Sequence, residues 1–187
     1  LIAALLLTIP FAVTGHWGLL GMGYNNDLGL HLAWAEWLRS GFGTEPSDGY
    51  PLGPHGLAAS LSTIPDFALG RVFIGQVAAI AVLTVMTAWA AVEPLGRWRR
   101  LLAAILVGLP YLMVSYFAQA AFKELAAAMF LLAFVIALPR LTPLPAQRRL
   151  RAAFPLIVLL LGIVFTYSFP GLAWPADFIH HPGPAGK

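Results

Sequence analysis

The chain has 187 residues, of which 59% are hydrophobic and only 10% charged, and its mean hydropathy is +0.79. Soluble domains carry about 25% charged residues. Eight acids and eleven bases are too few to cover a globule of this size, which argues against a cytosolic enzyme, a disordered chain and a nucleic-acid-binding domain. The lack of cysteine removes disulfides, cysteine-based zinc sites and thiol catalysis.

The first element is an apolar run over 1–20. It has no basic region before it and no small-residue cleavage site after it. It therefore reads as a transmembrane helix rather than a signal peptide. A long connection over 23–66 follows. It is rich in Trp, Tyr and Leu, so composition does not mark it as disordered. Asn25 or Asn26 is placed to cap a helix, Asp27 suits its first turn, and Gly41 and Gly43 end it. This amphipathic juxtamembrane helix is expected at the membrane interface, with Trp34 and Trp37 at headgroup depth. Asp27 and His31 stand four apart and share a face, whereas Glu36 points elsewhere. Further on, Tyr50-Pro51-Leu52-Gly53-Pro54-His55 reads as a rigid turn that fixes Tyr50 and His55 on a defined backbone.

Four more membrane helices are expected, over 69–92, 101–117, 118–138 and 152–174. Val72–Val92, Leu101–Phe122 and Ala152–Trp174 contain no charged residue. At about 1.5 Å per residue each covers roughly 30 Å of hydrocarbon. Gln119, Lys123 and Glu124 form a polar corner between the third and fourth helices. The plain account of that corner is snorkelling to water. The functional account is a cation for a lipid phosphate, with the acid orienting it. Residues 176–187 form a tail expected to be disordered. The expected fold is all-α, a single polytopic transmembrane domain over 1–175 with about five helices. The chain reads as the N-terminal part of a larger protein.

The arginines orient this arrangement. Arg97, Arg99 and Arg100 lie in one short connection, and Arg140, Arg148, Arg149 and Arg151 in another. The positive-inside rule places both connections in the cytoplasm and the 23–66 loop outside. Anionic lipid, not nucleic acid, is their expected contact.

The order of a first membrane helix, an outer loop opening with an acid, a juxtamembrane helix, a Tyr-Pro-x-Gly-x-His turn and Phe122-Lys123-Glu124 resembles GT-C-type integral-membrane glycosyltransferases. The closest likeness is to poorly characterised bacterial members, in a bacterial plasma membrane. The resemblance implies transfer of a sugar from a polyprenyl-phosphate donor to an acceptor at the outer membrane face. It implies Asp27 as general base or metal ligand, and Lys123, His31 and His55 as candidates to stabilise the departing phosphate. Tyr50, Gln119 and Glu124 complete the expected substrate-binding set. A divalent metal is an open cofactor, with Asp27 and His31 its candidate ligands. Family members commonly show two adjacent acids in this loop, whereas here Asn26 precedes Asp27. Two other classes fit the composition: a transporter or lipid flippase, and a non-enzymatic membrane scaffold.

Overall fold

The computed structural model describes residues 1–15, 27–65, 67–141 and 144–180, without the side chains of Asp27, residues 111–113, residues 146–147 and His180. The expected caps Asn25 and Asn26, the end of the first apolar run, Asp66 and the last seven residues lie outside the described residues.

The described residues are all-helical and contain no strand. In chain order the helices are α1 (Ile2–Thr14), α2 (Asp27–Ser40), α3 (Gly53–Leu61), α4 (Leu69–Ala91), α5 (Arg97–Gly108), α6 (Tyr111–Ala118), α7 (Phe122–Ala137), α8 (Ala146–Tyr167) and α9 (Ala173–His180). Short 3₁₀ turns follow α7 and α8. Three stretches are long and apolar enough to cross a membrane: Leu69–Ala91, Phe122–Arg140 and Arg148–Tyr167. Each leaves much of its apolar surface outside the packed interior, with Leu83, Met86, Val158, Leu161 and Phe165 among the exposed side chains. Water would penalise that surface and lipid would not, so the chain is consistent with an integral membrane protein.

Helix direction follows from the packing. Phe73 near the start of α4 touches Phe122 at the start of α7, with ring centroids 5.2 Å apart. Towards their other ends, Leu132 of α7 packs against the cluster that contains Val85 and Ala88 of α4. The two helices therefore run parallel. α8 returns against α7, because Gly162 admits the Phe130 ring: a Cβ at that glycine would stand 2.8 Å from it. α1 runs antiparallel to α4, with Ala3 packed near Val85 and Ala88 and Leu7 in the cluster of Phe73 and Phe117. The chain must also return from the end of α4 to the start of α7, and α5 and α6 together make that passage. Gly108 permits it, since a Cβ there would lie 2.7 Å from the Val85 backbone. Arg100 fastens the start of α5 to the end of α4. Its Nε donates to the Trp89 carbonyl oxygen at 2.8 Å, and its guanidinium lies 4.4 Å from the Trp89 ring centroid.

The expected spans differ from these helices in several places. The helix expected over 101–117 is two helices, because Pro110 has no N–H for the helix ladder and disfavours helical backbone at Leu109. The helix expected over 118–138 starts at Phe122. Ala120 adopts a left-handed backbone (φ 56) that closes α6 and turns the chain into α7. The helix expected over 152–174 begins at Ala146, so its arginines lie inside the helix, where Arg is a good helix former. It stops at Tyr167, because Ser168 (φ 66, ψ −175) and Pro170 break the ladder. The tail expected from 176 is helical as far as His180. Among the described residues, three helices are long and apolar enough for a crossing, and the described parts of α1, α5 and α6 are each shorter than one.

Candidate functional site

The 23–66 connection is built onto one end of the bundle by two helices. α2 turns His31, Trp34 and Ala35 inward at helical spacing and leaves Arg39 and Ser40 outside. Glu36 points away from the interior, as its position nine residues from Asp27 implies. Its carboxylate meets the Arg39 guanidinium at 2.7 Å, which holds it below the usual carboxylate range. Gly41 ends the helix in the left-handed region (φ 74), with its N–H on the Trp37 carbonyl oxygen at 2.8 Å.

A tight turn then aims Tyr50 back at the bundle. Its N–H donates to the Ser47 carbonyl oxygen at 3.1 Å, and Gly49 takes the positive φ (73) that the turn requires. Pro54 starts α3 in the first helical turn, where its missing N–H costs nothing. α3 lies directly on α8. A Cβ on Gly53 would stand 2.6 Å from the Phe165 Cβ and 2.7 Å from the Phe165 carbonyl oxygen. This close approach drives Pro54 and His55 inward.

There His55 meets His31. Nε2 of His55 lies 3.0 Å from Nδ1 of His31, so one ring donates a hydrogen bond and the other accepts it. His31 is 7% exposed and His55 fully buried. Trp34, Tyr50, Phe73 and Phe122 close around the pair. From His31 the ring centroids lie at 5.5, 6.1, 6.4 and 4.8 Å respectively. Burial holds His55 neutral, its pKa pushed down to about 3, with His31 and the charge of Lys123 adding to the effect. Nδ1 of His55 and Nε1 of Trp34 are buried with no hydrogen-bond partner among the described residues. An unmet buried polar atom costs about 1–3 kcal/mol.

Beside this box lies an open cavity of about 390 Å³, lined by Ser47, Asp48, Gly49, Tyr50, Pro51, Lys123 and Tyr167. Nζ of Lys123 stands 4.5 Å from the Tyr50 ring centroid and 6.0 Å from that of Tyr167. Among the described residues no carboxylate pairs with Lys123. The cavity thus offers an ammonium, the Asp48 carboxylate, hydroxyl groups and aromatic faces to whatever enters it.

The structure brings His31, Tyr50, His55 and Lys123 together from four separate elements. Asp27 opens α2 one helical turn before His31, about 6 Å along the axis. Gln119 is not part of the cluster: its Nε2 donates to Ser115 Oγ at 3.1 Å. Glu124 stands in the first turn of α7, half-buried and outside the cavity wall. Trp34, read from sequence as a headgroup anchor, is buried in the box. Tyr167 and Asp48 enter the cavity wall without having been singled out; only the end of an apolar run marked the first, and a turn-forming Asp-Gly the second. Among the described residues no three His, Asp or Glu side chains gather as a metal-binding group. The arginine-rich connection after α4 lies at the other end of the bundle: Trp89, which Arg100 grips, is sixteen positions along α4 from Phe73, about 24 Å.

No family model, curated protein or solved structure matches this chain.

Proposed function

We propose that the chain is the acceptor-activating and phosphate-binding part of a GT-C-like membrane glycosyltransferase. Its arginine connections face the cytoplasm and its aromatic box and cavity face outward. The observation that supports this most is Lys123, a cation with no carboxylate in ion-pair distance among the described residues, facing a cavity between two tyrosine rings. An ammonium without a close ion pair at the end of an apolar helix favours an anion, and an anionic group on a lipid reaches this depth most readily.

In this reading the donor is a polyprenyl-phosphate sugar. The Asp27 carboxylate takes the proton of the acceptor hydroxyl as the new bond to the sugar's anomeric carbon forms. The bond from that carbon to the phosphate oxygen breaks, and the electron pair leaves with the lipid phosphate. Lys123 stabilises that charge. Tyr50 and Tyr167 flank the sugar-phosphate, and Asp48 accepts hydrogen bonds from sugar hydroxyls.

The test uses membranes carrying the protein, supplied with a panel of radiolabelled polyprenyl-phosphate monosaccharides. Asp27→Asn is expected to abolish transfer while insertion and expression stay intact. Transfer at the unmodified rate in that variant overturns the assignment. Lys123→Met is expected to reduce transfer by about a hundredfold, the scale of losing one group that stabilises a developing anion.

A further inference from the structure

We propose that the cavity between the Ser47–Tyr50 turn, the start of α7 and the end of α8 selects a ligand that carries both a phosphate and a protonated amine. This rests on the reading of Lys123 as the phosphate seat, and under it the donor's sugar is an amino sugar. Two opposite charges share the cavity wall, the Lys123 ammonium and the Asp48 carboxylate. The ion pair among the described residues joins Arg39 to Glu36, so Lys123 and Asp48 do not pair across the space they line. A phosphate seated on Lys123 alone brings a second anion towards the Asp48 carboxylate. An ammonium on the same ligand turns that repulsion into attraction.

Neither charge serves the element that carries it. Ser47, Asp48, Gly49 and Tyr50 form a four-residue turn, closed by the Tyr50 N–H on the Ser47 carbonyl oxygen at 3.1 Å, with Gly49 at φ 73. An aspartate supports such a turn from its first position, where the side chain reaches the backbone two residues on. Asp48 stands second, exposed, where the turn asks nothing of its carboxylate. Lys123 lies in the first turn of α7, the end of a helix that disfavours a cation. Glu124 beside it suits that end and lies outside the cavity wall. What Lys123 and Asp48 have in common is the space between them.

Size and lining narrow the ligand. A cavity of about 390 Å³ is at the small end of ligand sites, which run from about 300 to 1,000 Å³. It has room for one sugar-sized head group with its phosphate. The Tyr50 and Tyr167 rings give it flat faces, and such faces attract cations, so they add to the pull of Asp48 on an amine. A phosphate and an amine also occur together in a phosphoethanolamine head group, which lacks the sugar ring.

The experiment compares soluble probes on the protein in a non-ionic detergent, by saturation-transfer NMR titration at about pH 7, where the amine is protonated and the carboxylate ionised. The probes are glucosamine 1-phosphate, its N-acetyl derivative, glucose 1-phosphate and glycerophosphoethanolamine. Glucosamine 1-phosphate is expected to bind about fivefold tighter than the two sugar phosphates without a charged amine, the upper range for an exposed ion pair. Asp48→Asn is expected to remove that difference, and Lys123→Met to weaken all four probes. Equal affinity for the three sugar phosphates in the parent protein overturns the amine selection and leaves the phosphate seat standing, whereas no binding of any probe overturns both. A preference that survives in Asp48→Asn also overturns the proposal. Glycerophosphoethanolamine binding as tightly as glucosamine 1-phosphate supports the paired charges and assigns them to a lipid head group. The acetylated probe differs from glucosamine 1-phosphate in the amine alone, so the parent protein decides the matter even if a variant loses its helical circular dichroism.

Discussion

Lys123 holds its ammonium 4.5 Å from the centre of the Tyr50 ring, so the first turn of a membrane helix is joined to the tip of the loop between α2 and α3. The same Tyr50 ring lies 4.4 Å from Trp34 and 5.8 Å from His55. Tyr50→Leu removes one cation–π contact and several ring contacts at once. It is expected to cost about 2 kcal/mol, read as a lower thermal midpoint in detergent. A midpoint equal to the parent's would show that Tyr50 does not tie the loop to α7.

Acid is expected to destabilise the aromatic box. In the unfolded chain His55 titrates near its ordinary value of 6.5, while in the fold it stays neutral down to about 3. Below 6.5 the unfolded chain therefore binds more protons than the folded one. Stability falls as pH drops from about 6.5 towards 3, by up to about 1.4 kcal/mol per pH unit. His55→Gln is expected to flatten this dependence. Thermal midpoints between pH 7 and pH 4 decide it, and parallel curves for parent and variant would remove His55 from the explanation.

Gly53 is expected to tolerate no side chain. Gly53→Ala places a methyl 2.6 Å from the Phe165 Cβ and 2.7 Å from its carbonyl oxygen, and backbone cannot give way cheaply. The variant is expected to lose about 1–3 kcal/mol, the scale of overpacking, and to loosen α3 from α8. Gly56→Ala, on the same helix with open space around it, serves as the control and is expected to leave the midpoint unchanged.

Sidedness can be read chemically, because the chain has no cysteine of its own. Ser47→Cys and Glu93→Cys each place one thiol at an exposed position, at opposite ends of the bundle. A membrane-impermeant maleimide added to intact cells is expected to label the first and spare the second. The reverse pattern would invert the orientation, and labelling of both before lysis would rule out a sealed crossing between them.

Much of the scaffold was legible in the sequence. Apolar runs marked the regions of α4, α7 and α8, and Gly41 marked the end of α2 at the right residue. His31, Tyr50, His55 and Lys123 stood out as rare polar side chains in an apolar chain. Their convergence was not legible, since nothing local tells α3 to lie against α8 through Gly53, and that contact is what delivers His55 to His31. Helix boundaries also escaped, for a definite reason. Charges served as markers of helix ends, but α8 carries Arg148, Arg149 and Arg151 inside its first turns. Helices end where the backbone ladder fails, at Pro110, Ala120 and Ser168, and none of these carries a charge. Trp34 was misplaced because an interfacial tryptophan and a core tryptophan occupy the same register on an amphipathic helix.

The parallel course of α4 and α7 has a consequence for biogenesis. The return between them is divided at Pro110 into helices of twelve and eight residues, neither of which alone spans a bilayer. To the insertion machinery, which meets the chain before it packs, 101–117 is still one continuous apolar segment and partitions as a unit. Pro110 divides it locally, and α5 settles against α4 through Gly108 while α6 packs against the start of α4. The corner carrying Lys123 is accordingly held by the divided segment, since α6 runs through the left-handed Ala120 straight into the first turn of α7.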